Sequence, residues 1–320
     1  MLLRKIRLIK SPSPEPMTFQ FLGPILDLKA FRYNPCNDFI FPSVLDAREC
    51  FAKPLARFYL YYAPHDAPGG ICLAVSDYIQ GPWKEYGSNP IVTRSWEGHY
   101  EVSHISSPHA VWRPDLGKLL LYFHGENDTS RVASSTDGIS FHYEKTVIST
   151  AMFEGISEAS YARVFDLGRG RGDRRFVILF MGNNAGTRRI YAAWSPDGLN
   201  FTAQKSPLIN PPPGTRVSQI GAPWLDQSEG KNIVWFHGDQ TLEGQGLKGI
   251  TTDLYRADLG DDFDEETHLG MVFQREIAGG SSNMRASDPC LVIVDGQRWL
   301  FLSIGGRLDQ NIALAAILEE

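Results

Sequence analysis

Apolar residues along this chain fall into short runs of five to eight, each bounded by turn residues, and helical spacing is nearly absent. The runs recur in a fixed order. Small or polar residues and a proline lead into a first apolar strand. A turn follows, then a second, more aromatic strand, a loop, and a third strand ending in Ser-Asp or Asp-Gly. The first copy reads FPSVLD (Phe41–Asp46), RFYLYYA (Arg57–Ala63) and ICLAVSD (Ile71–Asp77). The second is SPHAVW (Ser107–Trp112), KLLLYFHG (Lys118–Gly125) and RVASSTDGISF (Arg131–Phe141); the third is ASYARVF (Ala159–Phe165), RFVILFMG (Arg175–Gly182) and RIYAAWSPDGLNF (Arg189–Phe201). GAPWLD (Gly221–Asp226) opens the fourth and SDPCLVIVD (Ser287–Asp295) the fifth.

The period is about 50 to 66 residues, the length of four short antiparallel strands with their loops, which is a propeller blade. The expected fold is therefore all-β: a five-bladed β-propeller of four-stranded antiparallel blades around a central channel. Asp137-Gly138 and Asp197-Gly198 read as hairpin turns between third and fourth strands. The fifth repeat lacks an evident fourth strand, and FQFLGPIL (Phe19–Leu26) is the expected donor, closing the ring and removing an open edge. The domain reading is a loosely ordered leader over 1–17 and a single propeller over 18–320.

Composition narrows the function classes. The chain has 320 residues and a net charge of −6, against the basic surface that sequence-independent nucleic-acid binding requires. No apolar run is long enough to span a bilayer. The opening MLLRKIRLIKSPSPEP is interrupted by Arg4, Lys5, Arg7 and Lys10, so it lacks a secretory apolar core. The expectation as written is a cytoplasmic chain without membrane or nucleic-acid partners, secreted or periplasmic only if a signal has been removed. Cys36, Cys50, Cys72 and Cys290 form no metal spacing and read as reduced thiols. No HExxH motif or Cys/His cluster suggests a catalytic zinc.

Blade starts converge around one mouth of a propeller, so polar residues there are the site candidates: Asp38, His109, Glu158, Gln219 and Asp288. Two carboxylates flanking a pocket suit glycosidic cleavage, one protonating the leaving oxygen while the other activates water or attacks carbon. Glu158 reads as the acid and Asp38 or Asp288 as the base. His109, with His104 in the same HISSPHAVW segment, reads as a sugar contact. Arg163, Tyr161 and Arg285 extend that set, since an arginine can grip an acidic sugar in two places. His124 and His237 occupy a repeated FHG. The repetition points to a structural cause, but both are retained as contacts.

These repeats resemble the five-bladed propeller glycosidases: arabinanases, β-xylosidases, invertases and fructanases. The resemblance spans roughly residues 30–318 and is carried by FPSVLDA, YLYYAPHDAPGGICLAVSD, and the GPW or DG-x-x-F blade endings. It implies a first-blade Asp as base, a second-blade Asp that positions, and a third-blade Glu as acid. Only Glu158 falls on its place; Phe41 and His109 stand where aspartates are expected, which implies a divergent member. The resemblance further implies an oligosaccharide or polysaccharide substrate, inversion at the anomeric carbon, no cofactor required for the reaction, and a structural Ca²⁺ in the axial channel. Two alternatives remain open: a polysaccharide lyase on the same scaffold, with His109 or Tyr161 as base, and a non-catalytic sugar-binding propeller.

Overall fold

A computed structural model describes residues 7–10, 16–241, 250–278 and 285–318. It is an all-β five-bladed propeller. Blade 1 contains Ile40–Asp46, Phe58–Ala63, Cys72–Ser76 and Lys84–Glu85. Blade 2 contains Ile105–Arg113, Lys118–Gly125, Thr129–Ser135 and His142–Ser149. Ile156–Asp166, Phe176–Asn184, Thr187–Ser195 and Thr202–Ala203 build blade 3. Gln219–Asp226, Ile233–Thr241, Ile250–Asp258 and Thr267–Phe273 build blade 4. In blade 5, Arg285–Val294, Gln297–Gly306 and Asp309–Leu318 are joined by Thr18–Pro24 from the other end of the chain. That strand runs antiparallel to Asp309–Leu318, from Thr18 opposite Leu318 to Pro24 opposite Ala313. Of the leader, Arg7–Lys10 pairs outside Thr18–Pro24 as a further strand; residues 1–6 and 11–15 lie outside the described residues.

The second strands are apolar on both faces because each lies between two neighbouring blades. Every residue of Phe58–Ala63 is buried, and so are Phe176–Gly182. Side chains of adjacent blades interleave into continuous layers, such as Tyr59, Tyr61, Leu119, Leu121 and Phe123 between blades 1 and 2. The Ser-x-Asp-Gly turns tie blades together. In each, the Asp137 or Asp197 carboxylate accepts two backbone N–H groups, closing the turn. The Tyr61 hydroxyl then donates to the Gly138 carbonyl, and that of Tyr122 to the Gly198 carbonyl. Gly138 has a φ of +74°, and a Cβ there would sit 2.7 Å from the Tyr61 oxygen, so both backbone and contact demand glycine.

One feature recurs in all five innermost strands. A β-bulge interrupts the pairing with the second strand, and one residue in each bulge is left-handed: Phe41, Ser107, Tyr161, Ala222 and Asp288, with φ between +47° and +61°. A bulge re-aims the side chains around it and ends simple alternation. These five residues, four of them followed by proline, ring the mouth of the axial channel.

Candidate functional site

A pocket of about 340 Å³ occupies that mouth, and all five blades line it. Blade 1 supplies Phe41 and His65, blade 2 His104 and His124, blade 3 Glu158, Tyr161 and Arg188, blade 4 His237 and Asp239, and blade 5 Arg285 and Arg307. Two places in the repeat recur in the lining. One is the bulge, which carries Phe41 and Tyr161. The other is the end of the second strand: Ala63, His124, Met181, His237 and Ser303 each sit opposite the residue just before the bulge.

Tyr161 is the centre of the aromatic and imidazole groups. His124 stacks on it with ring centroids 5.5 Å apart, while Phe41 and His237 meet it edge-on at 4.8 Å and 6.2 Å. Its hydroxyl lies 3.4 Å from His65 Nε2, and His65 Nδ1 lies 2.9 Å from Asp66 Oδ1. Burial lowers the pKa of His65, and pushes that of His124 well below the ordinary imidazole range with help from His104 and His65. Burial thus favours the neutral imidazole at both His65 and His124.

Glu158 is buried, with 5 % of its surface exposed, yet it reaches the pocket. Arg188 grips it through two nitrogens, Nε to Oε2 at 2.9 Å and Nη2 to Oε1 at 3.3 Å, and the Ser160 hydroxyl donates to Oε1 at 3.0 Å. Across the mouth, Asp288 Oδ1 lies 3.6 Å behind His237 Nδ1, and Ser287 donates to Oδ2 at 2.8 Å. Burial alone would raise the Asp288 pKa; His237, Ser287 and Ser303 outweigh it and hold it below the usual carboxylate value.

The structure brings Glu158, Tyr161, His104, His124, His237 and Arg285 together in the pocket wall. Asp288 stands behind it through His237. Asp38 is fully buried: Oδ1 accepts the Gln310 N–H at 2.8 Å, and Oδ2 has no partner among the described residues. Burial, with Asp288 and Asp66 nearby, pushes its pKa up to about 7. His109 and Arg163 do not line the pocket. They lie deeper, where His109 Nδ1 accepts the Val164 N–H at 2.8 Å and Arg163 donates to the Pro108 carbonyl. The physical reason is the bulge. Ser107, not His109, holds the left-handed position, and the residue two further on turns into the packing between blades 2 and 3 against Phe165 and Trp224. Gln219 lies at the start of its strand and donates to the Gly186 carbonyl.

Sequence reasoning missed His65, Asp66, Arg188, Asp239 and Arg307. They lie at the ends of second strands, in the turns leading to third strands or, for Arg188, at the start of a third strand. The repeated FHG was the available signal, since it marks that level of the propeller in two blades. The residues do not fit an axial Ca²⁺, which takes six to eight oxygen ligands. The buried guanidinium of Arg163 occupies that region, and among the described residues no group of three or more His, Cys, Asp or Glu is arranged to hold a metal. No described helix is long and apolar enough to cross a membrane.

No protein-family model matches the chain, and no curated protein matches it in sequence. Solved structures match its shape. An endo-1,4-β-xylanase from Bacteroides thetaiotaomicron aligns with a TM-score of 0.64 at 13 % identity, over 88 % of this chain and 95 % of its own. An α-L-arabinofuranosidase from Lactobacillus brevis gives 0.60 at 11 % identity, over 90 % and 93 %. An endo-arabinanase from Bacillus licheniformis gives 0.56 at 14 % identity, over 89 % and 95 %. The alignments run nearly the full length of both partners, so this chain has the propeller fold of those glycoside hydrolases, with a sequence far diverged from theirs.

Proposed function

We propose that the chain is a glycoside hydrolase acting on an oligosaccharide or polysaccharide in the axial pocket. The observation that carries this reading is the pairing of two proton-transfer groups across one mouth: Glu158, fixed by Arg188 and Ser160, and His237, backed by Asp288. Hydrolysis of a glycosidic bond needs one group to protonate the leaving oxygen and another to take a proton from water. Both Glu158 oxygens are already engaged by donors, which suits a base that orients water better than a nucleophile that must reach carbon. Asp288 faces His237 Nδ1, leaving Nε2 to act on the sugar, with the buried carboxylate supporting the imidazolium. Direct attack by water inverts the anomeric centre. Tyr161 and Phe41 offer ring faces and edges to the apolar side of a pyranose or furanose. The fold shared with xylan- and arabinan-named hydrolases supports the reaction class.

A lyase reading draws on a different observation: the Tyr161 hydroxyl beside His65 Nε2, in a pocket with arginines. There His65 would take the Tyr161 proton, the phenolate would remove the proton next to a uronate carboxylate, and the leaving oxygen would take a proton back from Tyr161 as the double bond forms. A screen of aryl glycosides and of plant and algal oligosaccharides separates the readings. Hydrolysis gives reducing ends without new ultraviolet absorbance, and NMR of the first-formed anomer reads inversion. An unsaturated product would replace the hydrolase with the lyase. Binding with no turnover across the panel would leave a sugar-binding propeller.

A further inference from the structure

Three arginines line the pocket, and they are not equivalent. Arg188 is spent on Glu158. Arg285 and Arg307 both belong to blade 5, on one side of the mouth. Arg285 pairs opposite Gly305, two residues before Arg307, so the topology sets both side chains on the same rim. Among the described residues, Arg285 Nε is buried with no hydrogen-bond partner, and Arg307 is exposed at the lip. Among the described residues the Nη groups of Arg285 are free to meet a ligand, and a guanidinium held at a pocket wall is matched to a carboxylate.

The nearby carboxylates are engaged elsewhere. Asp66 is bonded to His65, Asp239 accepts the Thr252 hydroxyl at 2.7 Å, and Asp288 faces His237 and Ser287. Asp38, beside Arg285, is raised to about 7, so it is substantially protonated at neutral pH. Among the described residues no carboxylate forms an ion pair with Arg285 or Arg307, so blade 5 presents two unpaired guanidinium groups to the pocket.

We infer that blade 5 is a subsite for a sugar carboxylate, and that the substrate carries a uronic acid held by Arg285 and Arg307. A guanidinium presents two parallel N–H groups that match the two oxygens of a carboxylate. A neutral pentose or hexose offers hydroxyls, which would leave the charge uncompensated. This rests on the pocket being a sugar site, but not on which group transfers the proton.

Isothermal titration of the full chain tests it with a fixed panel: galacturonic and glucuronic acid trisaccharides, their methyl esters, the neutral parent trisaccharides, and 6-sulfated neutral trisaccharides. The free acid is expected to bind at least about tenfold tighter than its methyl ester, because one charge-assisted pair is lost on esterification. Arg285→Gln should erase that preference, read as the ratio of acid to ester affinity within the variant, and Arg285→Lys should keep part of it. Equal binding of acid and ester overturns the inference, as does a sulfated sugar binding more tightly than the acid, or no binding by any member. A wild type that prefers the acid but cleaves nothing supports the subsite and removes the hydrolase. Turnover of neutral sugars without preference for the acid does the reverse.

Discussion

The two ends of the propeller treat charge in opposite ways. At the end away from the pocket, the carboxylates that close the inner strands meet arginines. Arg57 joins Asp46 at 2.8 Å and Asp295 at 2.8 Å, and Arg175 joins Asp166 at 2.7 Å and Asp115 at 3.2 Å. Arg298 ties Asp226 of blade 4 into blade 5. These networks link strands and blades, and hold Asp46, Asp115 and Asp166 below the ordinary carboxylate pKa, through hydrogen bonds from Arg57, Arg113 and Arg175 respectively. At the mouth, by contrast, Asp38 Oδ2, Ser107 Oγ, His124 Nδ1 and Arg285 Nε are buried without a hydrogen-bond partner among the described residues. Unpaired buried polar groups are costly and cluster where a ligand completes them. The satisfied end holds the ring together, and the unsatisfied end is where chemistry is expected.

If that division is right, the largest effect comes from the mouth. Glu158→Gln keeps the size of the side chain and the bond to Ser160 but removes the proton-transfer carboxylate. We expect kcat/KM on the glycan found by screening to fall about a thousandfold, while the loss of the Arg188 pair lowers the urea midpoint without abolishing the cooperative transition. Full activity in this variant would remove the hydrolase mechanism. Asp288→Asn is next. Asn tolerates the left-handed backbone at φ +53°, so the fold is spared. Losing the charge behind His237 is expected to cost about a hundredfold in kcat, with KM little altered and the alkaline limb of the pH profile displaced. An unchanged pH profile would make Asp288 a structural residue.

The blade pattern was legible in the chain because interblade packing writes itself as doubly apolar second strands, and turn chemistry marks their ends. Even the strand that closes blade 5 could be read: Phe19–Leu26 was expected and Thr18–Pro24 pairs. The site was harder. Polar residues near each blade start gave Asp38, His109, Glu158, Gln219 and Asp288, but the positions equivalent in space are Phe41, Ser107, Tyr161, Ala222 and Asp288. A bulge adds a residue on one strand, so counting in twos fails across it. That shift moves His109 from the mouth to the interior while leaving Asp288 in register. His124 and His237 looked structural because they repeat, yet repetition in a propeller also marks a level, and this level faces the pocket.

Stability against pH separates Asp38 from the carboxylates of the far end, with opposite signs. Asp38 has a folded pKa of about 7 against an unfolded value near 3.9, so the folded state binds more protons between them. Its contribution is full below about pH 4 and is lost as pH rises through about 7. Asp46 and Asp166 have lowered values, so their contribution is present above the unfolded pKa and is lost as pH falls through the folded one. Asp38→Asn can keep the Gln310 bond through its carbonyl oxygen. At pH 8 it should be more stable than wild type by up to about 4 kcal/mol, the linkage energy of the shift, which already includes the attraction of the ionised form to Arg285. Urea denaturation at pH 5 and pH 8 measures it; a variant equally destabilised at both would show that Asp38 is held ionised.

The smallest effect belongs to the satisfied end. Arg175 packs its guanidinium 4.6 Å from the Phe176 ring and bridges Asp115 with Asp166. Arg175→Met retains much of the stem packing and removes the bridge. Asp115 keeps Arg113, through two hydrogen bonds of 2.9 Å, so only Asp166 loses its main partner. Pairs of this kind are partly solvated, and screening limits each to about 1 kcal/mol. The expected result is therefore a loss of about 1 kcal/mol in urea denaturation, shrinking at high salt, with kcat and KM unchanged. A fall in kcat at constant stability would mean that the two ends communicate through the inner strand Ile156–Asp166, which carries Glu158 and Tyr161 at the mouth and Asp166 at the far end. The division of labour between the ends would then fail at the one strand that belongs to both.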